Sequence, residues 1–259
     1  MGICKEVDMK KQLKIGWLSA GISSFIAIWL VRNSIDRIIY IDIDDHHKDN
    51  KRFVKDCERI LGKPIEILRH WKYNSVEDVI RDKKIIRHVK HGYAPCTNEL
   101  KIAVREKWES EHQDFNLTYI WGYDIEEIER AKSFEKNIME KICTEFFYIK
   151  NEFPLIDKQF TKQDCHAMAK RLGIKRPVLY DMGYQNNNCI GCVKGGMGYW
   201  NDIRKDFPKV FESRAKLERE INRRCLKECF LDELDPSRGY KTDEISTECG
   251  LICMVGGIA

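Results

Sequence analysis

The chain has 259 residues, 43% of them hydrophobic and 10% aromatic, which is enough apolar material for one large domain with an appendage. Its formal net charge of +4 permits a phosphorylated ligand but does not by itself indicate a nucleic-acid-binding protein. We expect no membrane span, because no apolar run approaches ~18 residues, and no signal peptide. The 11 cysteines then predict thiols or metal ligands in a reducing cytoplasm.

Short apolar strands alternate with helical segments in the first part of the chain. The strands are recognised by dense apolar runs, and the helices by apolar residues that recur every three to four positions. We expect strands at 13–19, 37–43 and 65–68, and helices at 22–32, 49–61 and 75–92. This βαβαβ order predicts a parallel sheet with helices on both faces.

The alternation continues toward Gly173 and then gives way to helices. We expect Thr97 to cap a helix over 98–112, and Thr161 to cap the helix that ends at Gly173. Further strands are predicted at 117–121 and 146–149, and further helices at 199–207 and 208–229. The predicted fold class is therefore α/β, a Rossmann-like twisted parallel sheet of about five strands with a C-terminal helical flank and tail.

A turn of small residues separates the first strand from the first helix. It contains Ser19, Gly21, Ser23 and Ser24. Backbone N–H groups at a helix N-terminus attract anions, and the serine hydroxyls add donors, so the turn is a candidate phosphate cradle. It lacks the lysine of a Walker motif, and an ordinary strand-to-helix turn with a serine N-cap is the alternative interpretation.

Asp42 stands at the carboxyl end of the second predicted strand. In parallel sheets a carboxylate at this position often faces the ribose or the base of a nucleotide. Asp42 is therefore a candidate nucleotide-binding residue.

Cysteines provide the second group of candidates. Cys189 and Cys192 form a CxxC pair in a polar, glycine-rich loop, and this spacing lets both sulfurs turn toward one metal, one cluster or each other. Cys96 precedes the predicted helix 98–112, where the helix dipole favours a thiolate, and a buried structural thiol is the alternative. Cys225 and Cys229 are expected on one face of the last helix, as core-facing thiols or as a ligand pair.

Five sequence pieces in this order resemble one family. They are the serine–glycine turn, YAPCT around Cys96, GYDIEEIER from Gly122 to Arg130, GYQNNNCIGC up to Cys192, and the tail ECGL that contains Cys249. The chain resembles the phosphoadenosine phosphosulfate (PAPS) reductase family, of bacterial and phage type, from about Leu13 to Cys253. That family belongs to the adenine-nucleotide alpha-hydrolase superfamily, which also holds the PP-loop ATP pyrophosphatases.

The resemblance implies an adenine-nucleotide alpha-hydrolase-like domain at 1–198. It also implies a helical extension with a cysteine-bearing tail at 199–259, packed on the same domain. The implied nucleotide-binding residues are Ser19, Gly21, Ser23, Ser24, Asp42, Gly122 and Arg130. Ala20 and Ser23 depart from the SGGxDS form of the pyrophosphatases, and Asp124 stands where reductases usually have arginine.

The resemblance gives Cys249 the role of catalytic nucleophile. The family cysteine attacks the sulfur of PAPS or adenosine phosphosulfate (APS), and a thioredoxin-type dithiol resolves the resulting thiosulfonate. Here Ile252 replaces the final histidine of the family's ECGLH signature, and Cys253 follows as a second thiol.

Three cysteines match the metal-binding positions of related enzymes. Cys96, Cys189 and Cys192 are the implied ligands of a four-iron four-sulfur cluster, with zinc as the alternative and Cys249 as an optional fourth ligand. Three thiolates leave one iron open, which resembles the PP-loop enzymes that transfer sulfur to tRNA. We expect the turn after the first strand and these three thiols to face a common pocket.

Three functions stay open at this point. The first is a sulfonucleotide reductase-like oxidoreductase that uses PAPS or APS. The second is an ATP-dependent thiotransferase that acts on nucleic acid, in line with the eight Lys or Arg from Arg204 to Arg224. The third is a nucleotide-binding protein without catalysis. The expected partners are the nucleotide and a thioredoxin-like reductant, with nucleic acid and a homodimer as further options, in a cytoplasmic protein of sulfur metabolism.

Overall fold

The computed structural model describes residues 10–87, 94–134 and 149–240. The chain divides into two compact units, each built from three separate stretches of sequence. The first unit comprises Met1–Ile41, Asp49–Leu68 and Arg105–Pro177, and the second comprises Asp42–Lys48, Arg69–Val104 and Val178–Ala259. The sequence-based division into 1–198 and 199–259 stays a prediction. Within the described ranges, no helix has the length and apolar character that a bilayer crossing requires.

The first unit contains a sheet of five parallel strands, which confirms the predicted α/β class. The strands are β1 (Lys11–Leu18), β2 (Arg37–Ile41), β3 (Ile65–Leu68), β4 (Phe115–Ile120) and β5 (Ile149–Glu152). Their spatial order is β3-β2-β1-β4-β5. The last strand lies C-terminal to the predicted 146–149, and residues 146–148 lie outside the described ranges.

Helices connect and follow the strands. Their bounds in chain order are α1 (Ile22–Leu30), α2 (Asp49–Leu61), α3 (Val76–Lys83), α4 (Pro95–Thr97), α5 (Val104–Ser110), α6 (Pro154–Asp157), α7 (Lys162–Arg171), α8 (Val178–Asp181), α9 (Met197–Asp206) and α10 (Pro208–Ile221). A further helical stretch covers 128–134. The α1 helix is almost entirely buried and packs against α7, and its residues are apolar except for Ser23 and Ser24 in the first turn. The predicted Thr161 cap is confirmed: it forms a capping box with Asp164.

The predicted helix 98–112 starts one turn earlier than expected. Pro95 occupies the first helical position, where its fixed φ favours the helix and its missing N–H costs nothing. Ala94 is the N-cap, and Thr97 lies inside the first turn, so the predicted Thr97 cap is wrong. A π-helical turn, Asn98–Ala103, joins α4 to α5. Cys96 is therefore in the first helical turn rather than before it.

Two other predicted helices are too long. The α3 helix ends at Lys83 because Lys84 adopts a left-handed φ of 56°, whereas the prediction extended it to 92. The α10 helix ends at Ile221 because Asn222 is left-handed with φ 51°. Cys225 and Cys229 thus follow the helix and do not share a helical face, which corrects the prediction.

Candidate functional site

The loop after β1 lies where the sheet reverses the direction in which strands are added. From β1 the chain adds β2 and β3 on one side, and it then adds β4 and β5 on the other. β1 and β4 run in parallel register through Gly16 and Ile120, so their carboxyl ends share one edge. In open parallel sheets, ligands bind in the crevice outside the carboxyl ends at such a reversal. The loop with Ser19, Gly21, Ser23 and Ser24 lies at this edge.

Hydroxyl groups hold this loop in shape. Ser24 Oγ accepts hydrogen bonds from Ser19 N at 3.1 Å and Ser19 Oγ at 2.9 Å, and it donates to Gly21 O at 2.9 Å. The hydroxyls of Ser19 and Ser24 therefore serve the loop itself. The N-cap residue of α1 is Gly21, which has no side chain to accept a hydrogen bond from the first turn of the helix. An anion at this loop would accordingly be held by backbone N–H groups at the start of α1.

Gly122 lies against the start of α1. A Cβ atom at Gly122 would stand 2.5 Å from both N and Cα of Ser24, closer than any side chain tolerates. Gly122 is therefore required by the close approach of two backbone segments at the end of β4. This packing reason was not visible in the sequence, which gave Gly122 only a place in a nucleotide-binding motif.

Arg130 and Asp124 have local partners in the first unit. Arg130 Nη1 lies 2.6 Å from Glu127 Oε1, and its guanidinium stacks 4.8 Å from the centre of the Tyr123 ring. Asp124 is buried, and its carboxylate accepts the backbone N–H of Glu126, which caps the short helix that follows. Asp124 therefore has a structural role in this chain.

The second unit brings three cysteines to one small pocket, which we call the thiol pocket. Cys96 is half-buried at the start of α4, and Cys189 and Cys192 are each 7% exposed. The remaining lining residues are mostly apolar and include two lysines: Ile43, Val76, Ala94, Thr97, Leu100, Lys101, Val193 and Lys194. The sequence predicted that these three thiols converge. Cys249 lies outside the described residues, so its predicted role stays a prediction.

A tyrosine hydroxyl fixes the CxxC turn. Tyr199 Oη accepts the backbone N–H of Cys192 at 2.9 Å and donates to the backbone carbonyl of Cys189 at 3.2 Å. Burial raises the pKa of Tyr199 well above its usual value of 10, so the hydroxyl keeps its proton. Gly191 has a φ of +69°, which an L side chain rarely adopts. The turn is thus fixed by one hydroxyl and one glycine.

Asp45 connects the same turn to two helices of the second unit. Its backbone carbonyl accepts the N–H of Ile190, between the two cysteines, at 2.8 Å. Its carboxylate accepts the N–H of Val76 at 2.6 Å and pairs with Arg214 at 3.1 Å. Burial raises the pKa of Asp45, and the charge of Arg214 partly opposes this effect. Asp45 therefore positions the CxxC turn without lining the thiol pocket.

Positive charge surrounds this part of the second unit. Lys101 and Lys194 line the thiol pocket. His46 has its pKa lowered from 6.5 to about 3, because burial disfavours the imidazolium and because Lys101 and Arg69 repel it. Asp42 faces Arg69, with an oxygen 3.8 Å from the guanidinium, so its predicted ribose contact stays a prediction. Lys101 and Lys194 thus place two cationic side chains at the thiol pocket, while Arg69 is paired with Asp42 and Asp44.

The metal prediction has chemical support but an incomplete ligand set. Thiolates are the donors that zinc and iron–sulfur clusters prefer. Among the described residues, no group of three or more His, Cys, Asp or Glu stands in an arrangement that could hold a metal ion. The three cysteines share a pocket but do not form a closed coordination sphere. A metal or cluster at Cys96, Cys189 and Cys192 stays a prediction.

The sequence did not single out Lys101, which lines the thiol pocket, or Tyr199 and Arg214, which support the CxxC turn directly and through Asp45. Lys101 follows Cys96 by five positions, which the π-helical turn places on the pocket side. Tyr199 sat in a predicted helix without an assigned role, and Arg214 was counted among surface charges although it is 1% exposed. The GMGYW pattern after the CxxC pair was the available signal for Tyr199. No local signal distinguishes the buried Arg214 from its neighbours.

A close backbone contact links the start of α9 to the end of the described chain. A Cβ atom at Gly198 would stand 2.0 Å from the carbonyl oxygen of Tyr240, and one at Gly239 would stand 2.1 Å from Gly198 N. Only glycines permit this contact. Tyr240 is thereby held against the helix that carries Tyr199.

Comparison with known proteins gives distant similarities. No family model matches the chain. The uncharacterized protein MJ0066 of Methanocaldococcus jannaschii is 24% identical over 220 residues, which are 82% of this chain and 42% of that protein. The chain therefore spans less than half of that relative's length. A crystal structure of a PAPS reductase from Candida auris, in a phosphate complex, is 12% identical with a TM-score of 0.44, over 70% of this chain and 83% of that one.

Proposed function

We propose that the protein is an adenine-nucleotide-dependent sulfur enzyme whose chemistry is nearest to that of a sulfonucleotide reductase. The observation that carries the proposal is the thiol pocket, where Cys96 meets the Cys189–Cys192 pair beside Lys101 and Lys194. Structural thiols are usually scattered through a core, whereas these three line one cavity with two cations. The serine–glycine loop at the strand-order reversal supports nucleotide binding.

The proposed reaction has two steps. The Cys249 thiolate attacks the sulfur of PAPS or APS, so an S–S bond to the sulfonate forms while the S–O bond breaks and the nucleotide leaves as its phosphate anion. A thioredoxin-type dithiol then supplies two electrons: the thiosulfonate bond is reduced, sulfite leaves, and the dithiol becomes a disulfide. In this scheme the loop after β1 binds the nucleotide phosphate through its backbone N–H groups.

Sulfite release from PAPS and from APS, with reduced thioredoxin present, tests this proposal. We expect turnover with one of the two nucleotides and its loss in Cys249→Ser. The control Cys165→Ser changes a buried thiol of α7 in the first unit and should keep activity. If neither nucleotide yields sulfite although the protein binds it, the reductase proposal is overturned. The remaining function would be nucleotide binding without catalysis.

The convergence of three thiols also supports a second candidate, an iron–sulfur thiotransferase that consumes ATP. In this candidate Cys96, Cys189 and Cys192 would be the cluster ligands, and the cluster would supply the sulfur-transfer chemistry. Purification without oxygen, followed by iron, sulfide and zinc analysis, tests it. We expect iron and sulfide in the wild type and in Cys165→Ser, and their loss in Cys189→Ser. Zinc alone, or no metal, would contradict this candidate, as would absence of pyrophosphate release from ATP with RNA or DNA present.

A further inference from the structure

A second cavity of the second unit lies away from the cysteines. It is a groove of 840 Å³ whose polar lining is dominated by four cations, Arg87, Arg223, Arg224 and Lys227. Leu226 and Phe230 contribute apolar lining, and the Phe230 ring is in contact with the guanidinium groups of Arg219, at 3.8 Å from the ring centre, and Arg224, at 5.9 Å. We call this surface the basic groove. Its residues come from the segment after α3 and the segment after α10, which are separated by more than a hundred positions of sequence.

The four cations of the basic groove are not neutralised by carboxylates. Among the described residues, none of them has a carboxylate oxygen within ion-pair distance, and this includes the carboxylate of Glu228, which is adjacent to Lys227 in sequence. Glu220 pairs with Arg81 at 3.2 Å, and both Asp232 and Glu233 pair with Arg219. The groove therefore concentrates positive charge that the protein itself leaves uncompensated.

Two of the arginines use only part of their hydrogen-bonding capacity on the protein. Arg223 Nη1 donates to the carbonyl of Asn222 at 3.0 Å, and Arg224 Nη1 donates to the carbonyl of Glu228 at 3.1 Å. Each guanidinium carries five N–H donors, so several donors of each side chain stay available to a ligand. Cations near a helix C-terminus also stabilise the helix, which accounts for Arg223 after α10. That role does not account for Arg87 and Lys227, which lie beyond the helix.

The groove narrows the choice of ligand. A single phosphate or sulfate is satisfied by one or two cations, whereas four cations beside an apolar lining suit a chain of phosphates that also carries flat apolar groups. Other cations of the same basic stretch have internal partners: Arg204 donates to two backbone carbonyls and Arg214 pairs with Asp45. Lys205, Lys209 and Lys216 are exposed on the helices, whereas Arg223, Arg224 and Lys227 line one cavity together with Arg87.

We propose that the basic groove binds single-stranded nucleic acid, with Arg87, Arg223, Arg224 and Lys227 on successive phosphates and the bases beside the apolar lining. This binding site goes beyond the proposed sulfur chemistry and does not depend on it, because no cysteine of the thiol pocket lines the groove. The strand is recognised through its backbone, so the binding tolerates different base sequences.

Fluorescence anisotropy with labelled oligonucleotides of roughly 20 residues tests the proposal at low and moderate salt. The variant Arg223→Glu/Arg224→Glu should lose affinity by about tenfold or more, and its slope of log K against log salt should fall by about 1.4, or ~0.7 for each lost phosphate contact. The matched control is Lys209→Glu/Lys216→Glu, which makes the same charge change at exposed positions of α10 and should stay within about twofold of the wild type.

Each outcome decides the proposal. A loss of affinity in the groove variant alone supports the proposal, whether the wild type prefers RNA or DNA. Circular dichroism and thermal melting establish that the groove variant is folded. An equal loss in both variants would show general charge attraction and overturn the proposal. Absence of wild-type binding at low salt, tighter binding of duplex than of single strands, or full competition by ATP at its own affinity would overturn it as well.

Discussion

Arg214 and Asp45 form a buried ion pair, with Arg214 Nη2 3.1 Å from Asp45 Oδ1 and the two side chains 1% and 9% exposed. The pair joins α10 to the backbone segment that holds the CxxC turn. Nε and Nη1 of Arg214 find no hydrogen-bond partner among the described residues, so the loss of hydration is not fully offset. The pair therefore fixes geometry more than it adds stability.

Removing one partner of this pair should destabilise the protein strongly. Arg214→Met leaves the Asp45 carboxylate buried without its counter-charge, and we expect a loss of about 3–5 kcal/mol in the free energy of unfolding. Denaturant unfolding measures it. Asp45→Asn/Arg214→Met should recover most of the loss, because no charge stays buried. The control Arg219→Met removes two exposed ion pairs, to Asp232 and Glu233, and should cost less than about 1 kcal/mol; equal costs for the two single variants would contradict the burial argument.

His46 should make stability fall in mild acid. Its pKa in the folded protein is lowered from 6.5 to about 3, so the fold favours the neutral ring. The stabilisation is complete above pH 6.5 and is lost as the pH falls from there toward 3, at up to about 1.4 kcal/mol per pH unit. His46→Gln keeps similar size without a titrating group and should flatten this part of the curve. An unchanged slope between the two proteins would refute the assignment.

Gly122→Ala should damage the loop after β1. The new Cβ would overlap the backbone of Ser24, which cannot move without shifting α1, and overpacking of this kind costs about 1–3 kcal/mol or more. Thermal unfolding measures the cost. Gly62→Ala is the control. With φ +64°, Gly62 has a backbone conformation that an L side chain rarely adopts, but no atom lies within 4 Å of the new methyl group. A Gly122→Ala cost no larger than that of Gly62→Ala would contradict the steric explanation.

Tyr199→Phe should loosen the CxxC turn. Without its hydroxyl, the backbone N–H of Cys192 and the carbonyl of Cys189 lose a buried partner, and we expect a cost of about 1–3 kcal/mol. Hydrogen exchange at the Cys192 amide and labelling of both thiols should become faster. Tyr184→Phe removes a hydroxyl that donates to Asp206 at 3.1 Å instead, so the Cys192 amide should keep its protection in that variant.

Local signals predicted the parallel sheet well. Apolar runs located β1 to β4 within a few residues, and the alternation with helices gave their parallel direction. The errors are at helix ends. The α3 and α10 helices end earlier than predicted, at Lys84 and Asn222. Both residues are left-handed although they are not glycines, so no glycine in the sequence marks these helix ends. The helix start at Pro95 could have been predicted, because proline is favoured at the first helical position.

The candidate site was predictable only in part. Cys96, Cys189 and Cys192 were singled out from their spacing and sequence context, and they line one pocket. The burial of Arg214 and the partner of Asp45 depend on contacts across 169 positions of sequence, which no local pattern encodes. Gly122 was assigned to a ligand, whereas its immediate constraint is the backbone of Ser24. Long-range contacts therefore account for most of what sequence reasoning missed.

The contact between Gly198 and Tyr240 acts as an anchor for the nine residues that lead on to Cys249. A fully extended chain of that length reaches about 30 Å, so covalent connectivity alone limits the Cys249 thiol to a sphere of that radius around Tyr240. Replacing Gly198 would displace the point from which this distance is measured, while the number of residues between Tyr240 and Cys249 stayed the same.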